Sequence, residues 1–96
     1  MLSYEEFKEK LVTEVTVYAP EKYKNAIVDI MGVPKAEGNV DAIIMRMPDR
    51  NSGASLNCKD LYADYVKSNS FEKTMIRCLQ SLIPYLERDD EIDIQK

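Results

Sequence analysis

Cys58 and Cys78 are the side chains of this 96-residue sequence with the richest chemistry, and each falls on the apolar face of a helical pattern. The two patterns meet at a polar turn, Ser68-Asn69-Ser70. At 1.5 Å of rise per residue, Cys58 lies about 16 Å before Asn69 and Cys78 about 13 Å after it, so the thiols are nearly level. Two chemistries suit that placement. Free cysteine packs as a small apolar side chain, the commoner use. Alternatively, soft thiolates favour zinc, with Asp60 or Asp64 completing the ligand set. Neither cysteine belongs to a CxxC pair, so a zinc site here would be an unusual one.

Catalytic patterns are otherwise missing. Histidine is absent, which removes the commonest general base and the commonest zinc ligand together. No glycine-rich phosphate loop occurs, and neither thiol has a histidine to activate it. Asp60 and Asp64 stand side by side at i and i+4 on a helix face that should be solvated. Acid/base catalysis needs environments that split two pKa values, and a solvated face supplies none. An enzyme is therefore not expected, and no cofactor is required.

The remaining candidates point to recognition. Tyr62 and Tyr65, with Tyr18, Tyr23 and Tyr85 elsewhere, have the amphipathic character enriched at interfaces. Glu87, Asp89, Asp90, Glu91 and Asp93 form an acidic tail suited to a basic partner. Asp60, Asp64, Tyr62, Tyr65, Glu87, Asp89 and Asp90 are thus the predicted partner-binding residues, and Cys58 and Cys78 the candidate metal ligands.

Composition limits what these residues can serve. Hydrophobic residues make up 45% and charged residues 31%, an ordinary globular mixture for one small domain spanning 1–96. The net charge of -4 is even, with -2 over 1–48 (6 basic, 8 acidic) and -2 over 49–96 (7 basic, 9 acidic). Nucleic-acid binders show a basic face, so direct contact with DNA or RNA is not expected. The opening Met1-Leu2-Ser3-Tyr4-Glu5-Glu6 lacks a signal peptide's basic and apolar regions, and no apolar run spans a bilayer. A cytoplasmic location follows as the expectation. Two cysteines are too few for a disulfide scaffold.

Six elements position the candidates. A helix over 3–18 opens with a Ser3/Glu6 capping box and turns Phe7, Leu11, Val15 and Tyr18 inward; Ala19-Pro20 ends it. A strand over 24–31, with Ala26, Val28 and Ile30 on one face, should close at Gly32 and Pro34. A loop over 35–39 leads to a strand over 40–47, whose Ala42-Ile43-Ile44-Met45 run marks it as central. A short strand at 54–56 follows. Asn57 caps a helix over 58–67, and Ser70 caps the last, where Phe71, Met75, Cys78, Leu79, Leu82 and Leu86 face inward. Pro84 should kink or end that helix near Leu82-Ile83 and leave a frayed tail. The order α-β-β-β-α-α predicts an α+β domain: a three-stranded antiparallel sheet with helices on one face and an exposed edge.

The start Ser3-Tyr4-Glu5-Glu6-Phe7-Lys8, the strand Val40–Arg46 and the segment Leu56–Tyr65 followed by Ser70-Phe71-Glu72 resemble a domain-of-unknown-function family. Its members are small proteins of gut Firmicutes and their mobile elements. Ala54-Ser55-Leu56 stands where that pattern has a Pro-Thr strand, and Cys58 and Cys78 depart from it. The resemblance implies the fold and a bacterial or phage source, and no mechanism.

Elimination leaves binding to another macromolecule. By kind rather than motif, a compact acidic domain is similar to anti-CRISPR proteins, which implies an anti-defence inhibitor docking on the basic surface of a Cas effector such as Cas9. The second expectation is a bacterial adaptor or structural protein, homodimeric through an open sheet edge.

Overall fold

The computed structural model describes residues 1–49 and 53–95, with side chains described as far as Glu87. Its elements are α1 (Tyr4–Glu14), a 3-10 turn (Glu21–Tyr23), β1 (Ile27–Lys35), β2 (Gly38–Arg46), β3 (Gly53–Asn57), α2 (Cys58–Ser68) and α3 (Phe71–Gln95). This is the expected α+β order, with a three-stranded antiparallel sheet arranged β1-β2-β3.

The capping box forms as read: the Glu6 amide donates to the Ser3 hydroxyl at 3.2 Å, and the Ser3 amide to the Glu6 carboxylate at 2.9 Å. Phe7, Leu11 and Val15 are fully buried at helical spacing. The helix stops four residues earlier than expected, where the β-branched run Val15-Thr16-Val17 gives way to turns. Tyr18, expected inside, is therefore exposed.

β1 does not close at Gly32 or Pro34. It continues to Lys35, and its nine residues pair without interruption from Ile27↔Arg46 to Lys35↔Gly38. Proline has no N–H for a ladder but is tolerated on an edge strand with its nitrogen turned outward. The expected loop shrinks to Ala36-Glu37, and Gly38 takes the φ of +116° that a side chain would resist. β2 is central, with Ile43 and Met45 fully buried. Val28, Ile30, Ile43, Met45, Ala54 and Leu56 share the face that meets the helices. Burying each fully enclosed side chain of this size contributes about 1.5–3 kcal/mol.

Asn57 caps α2 by accepting from the Lys59 amide at 2.8 Å. Asn69, in the left-handed region at φ 53°, reverses the chain into α3, whose first turn Ser70 caps by accepting from Lys73 at 3.2 Å. Pro84 neither ends α3 nor leaves a separate tail, and the helical backbone runs on to Gln95. Leu82 and Leu86, on either side of the proline, are both fully buried. No described helix is long and apolar enough to cross a membrane.

Candidate functional site

The two thiols enter the core. Cys58 and Cys78 are both fully buried in the cluster that includes Met75, Leu79 and Leu82. Desolvation, with the Asp41 carboxylate nearby, pushes the Cys58 thiol up to about 11. Desolvation and the neighbouring Cys58 push Cys78 up to about 12. Zinc binds the thiolate, and this environment opposes it. Among the described residues no three His, Cys, Asp or Glu side chains converge on a metal position. Asp60 and Asp64 line a groove on the solvent side of α2 instead of joining the thiols. The donor set does not fit zinc.

Of the predicted recognition residues Tyr62 and Tyr65, Tyr65 is buried and Tyr62 is half-buried against the core. Phe7 stacks on Tyr65 at 5.2 Å between ring centroids and meets Tyr62 edge-on at 5.3 Å. The Leu2 amide donates to the Tyr65 hydroxyl, and the Tyr62 hydroxyl donates to the Leu2 carbonyl, both at 2.9 Å. These rings hold the N-terminus onto α2. Glu87 is likewise engaged within the chain, accepting from the Tyr23 hydroxyl and from Lys22. Asp89 and Asp90 lie beyond the residues whose side chains are described.

An unforeseen polar cluster joins α1 to β2. Asp41 accepts from the Tyr4 hydroxyl at 2.9 Å and from Lys8 at 3.0 Å, and Lys8 also pairs with Glu5 at 3.1 Å. Hydrogen bonds from Lys8 and Tyr4 hold the Asp41 carboxyl below its usual range. Burial and the Asp41 acceptor push Tyr4 up to about 12, so its phenol stays protonated at neutral pH. The cluster fastens elements rather than moving protons. Its sequence signal was an acid within an apolar strand, together with Tyr4 and Lys8 on one helix face.

Asp60 and Asp64, by contrast, do come together at the surface. With Asn57, Arg77, Gln80 and Ser81 they line a groove of about 240 Å³ between α2 and α3. Arg77 approaches Asp64 at 3.8 Å across it. On the other flank of α3, Tyr18, Pro20, Ile76, Ile83 and Pro84 border a second, apolar groove of about 380 Å³. Gln80 lines both, so the two form one continuous face. Ile76 is 44% exposed there. Ile76 and Ile83 sit seven positions apart and off the inner stripe of α3, the one sequence signal that an apolar strip faces outward.

No family model matches the sequence, and no similar curated protein or solved structure was found. The resemblance read from Ser3–Lys8, Val40–Arg46 and Leu56–Tyr65 rests on those segments alone.

Proposed function

We propose that this protein acts by docking on another protein through the outward face of α3 and the adjoining edge of α2. The observation that carries this reading is the pair of grooves sharing Gln80: one acidic-rimmed, one apolar, on two helices locked to the core. Interfaces combine these features, with apolar contact for affinity and charge for orientation and encounter rate. Asp60 and Asp64 suit a basic surface, and the net charge of -4 agrees with it. Duplex DNA carries a charge about every 1.7 Å, so this domain is too dilute to mimic it broadly. The partner this favours is a nucleic-acid-handling effector whose basic surface the domain blocks. The role is that of an anti-defence inhibitor from a phage or other mobile element, of the anti-CRISPR kind.

The test is DNA cleavage by purified Cas effectors, beginning with a Cas9–guide RNA complex, in parallel with binding measured by interferometry. Wild-type protein should bind and suppress cleavage. The D60K/D64K double variant should bind about tenfold more weakly, mainly through a slower on-rate, and I76D mainly through faster release. The Asp64–Arg77 pair lost in the first variant is exposed and contributes at most about 1 kcal/mol, so the fold survives. Absence of binding to every effector, or binding indifferent to both variants, would overturn the proposal.

A further inference from the structure

The sheet leaves β1 at its edge. All nine residues from Ile27 to Lys35 pair with β2 on one side, with no bulge and no described partner on the other. Pro34 fixes which backbone groups face outward. Lacking an N–H, it belongs at a position turned away from β2, and the alternation of an antiparallel ladder then turns Gly32, Ile30 and Val28 outward with it. Their amides and carbonyls form an open edge.

Side chains on the face away from the helices add a pattern. Asp29, Met31, Val33 and Lys35 alternate along it, pairing with Ile44, Ala42, Val40 and Gly38 of β2. Met31 is 54% exposed. Asp29 and Lys35 are exposed, and neither forms an ion pair with another described residue of its own chain. The order acid, apolar, apolar, base is complementary to itself when reversed.

We propose that β1 pairs antiparallel with β1 of a second copy about a twofold axis at Gly32, joining two sheets into one of six strands. In this register Asp29 faces Lys35 of the second copy, and Met31 faces its Val33, each twice by symmetry. Opposite charges directly across an antiparallel pair favour association, and like charges oppose it. Moving the axis to Met31 sets Asp29 against Val33. Moving it to Val33 sets Asp29 against Glu37, a like charge. Only the Gly32 axis satisfies both charges. Pro34 is accommodated there too, because its carbonyl still accepts from the Ile30 amide of the second copy. Gly32 leaves the centre open, with nothing within 4 Å of where a side chain would start. Helix α3, which carries the proposed docking face on its outward side, packs against β3 at the opposite edge, so dimerisation leaves two such faces free and does not depend on them.

Sedimentation equilibrium over a range of concentrations tests this without any partner. The mass should rise from 11.0 kDa toward twice that value. K35D sets acid against acid at both sites and should weaken association about tenfold or more. The swapped double variant D29K/K35D restores both pairs and should recover the dimer. Circular dichroism of each variant checks that the fold is kept. A mass of 11.0 kDa at every concentration would overturn the proposal, as would a dimer insensitive to K35D or a double variant that fails to recover.

Discussion

The Leu2 amide donates to the Tyr65 hydroxyl at 2.9 Å, linking positions 63 apart in sequence. The contact turns a residue of interface type into a fastener of the N-terminus. Tyr65→Phe keeps the ring stacked on Phe7 and removes only the acceptor. A hydrogen bond of this kind contributes about 1 kcal/mol net, and Leu2 is only half-buried, so water can replace part of it. Y65F should therefore lower Tm by about 4–8 °C at most for a domain of this size. Because Tyr62 holds the same residue through its carbonyl, Y62F and Y65F should couple in a double-mutant cycle of urea unfolding. Strict additivity would show that the two hydroxyls do not act together on Leu2.

What was legible in the sequence followed from local periodicity. Phe7, Leu11 and Val15 recur at helical spacing and are buried; the Ala42–Met45 run is central; Asn57 and the Ser3/Glu6 pair cap as read. Asp60 and Asp64 at i and i+4 also lie together on the surface. The misread features depend on distant neighbours. Pro34 ends a strand only where its nitrogen must donate to a neighbour, and β1 proves to be an edge. Contacts made at long range were not legible either: the tyrosines bond Leu2, about sixty positions away, and Glu87 bonds Lys22 and Tyr23. No spacing rule within α2 or α3 carries that information.

The buried thiols make a second prediction. Both Cys58 and Cys78 are raised, to about 11 and about 12, so thiolate is scarce in the native state at neutral pH. Native protein at pH 8 should resist an aromatic disulfide reagent, and both cysteines should react once guanidinium unfolds the chain. Added zinc should not raise Tm. The linkage sign is also fixed: the unfolded thiols ionise near about 8.5 and the folded ones only higher, so stability falls as pH rises above about 8.5. Fast native labelling or stabilisation by zinc would return the thiols to the list of functional groups.

Asp41 governs the acid side. Its folded carboxyl titrates below the unfolded value of about 3.9, because Lys8 and Tyr4 donate to the charged form. The stability this provides is present above about pH 4 and is lost as pH falls through the folded value. Urea midpoints measured from pH 7 to pH 2 should decline at the acid end. In D41N the same curve should start lower and decline less. An unchanged acid limb in D41N would assign the pH dependence to other carboxylates.

Pro84 supplies the last prediction. Inside a helix, proline removes the bond to the carbonyl four residues earlier, here that of Gln80, and crowds it. Pro84 and Gln80 are both exposed, so that carbonyl can turn to water. Leu86 is fully buried two residues on, and Glu87 accepts from Tyr23 and Lys22, so the helix beyond the proline is held by contacts with the rest of the chain. Tertiary anchoring therefore outweighs a local cost of about 3 kcal/mol. Pro84→Ala removes the cost and keeps the anchors, and it should stabilise the domain by about 1–3 kcal/mol in urea unfolding, less whatever order proline imposes on the unfolded chain. Pairing it with L86A separates the two effects. If anchoring holds the helix against the proline, L86A should lose less stability when Pro84 is present than when alanine replaces it, because the weakened proline chain can leave the helix and shed its local cost.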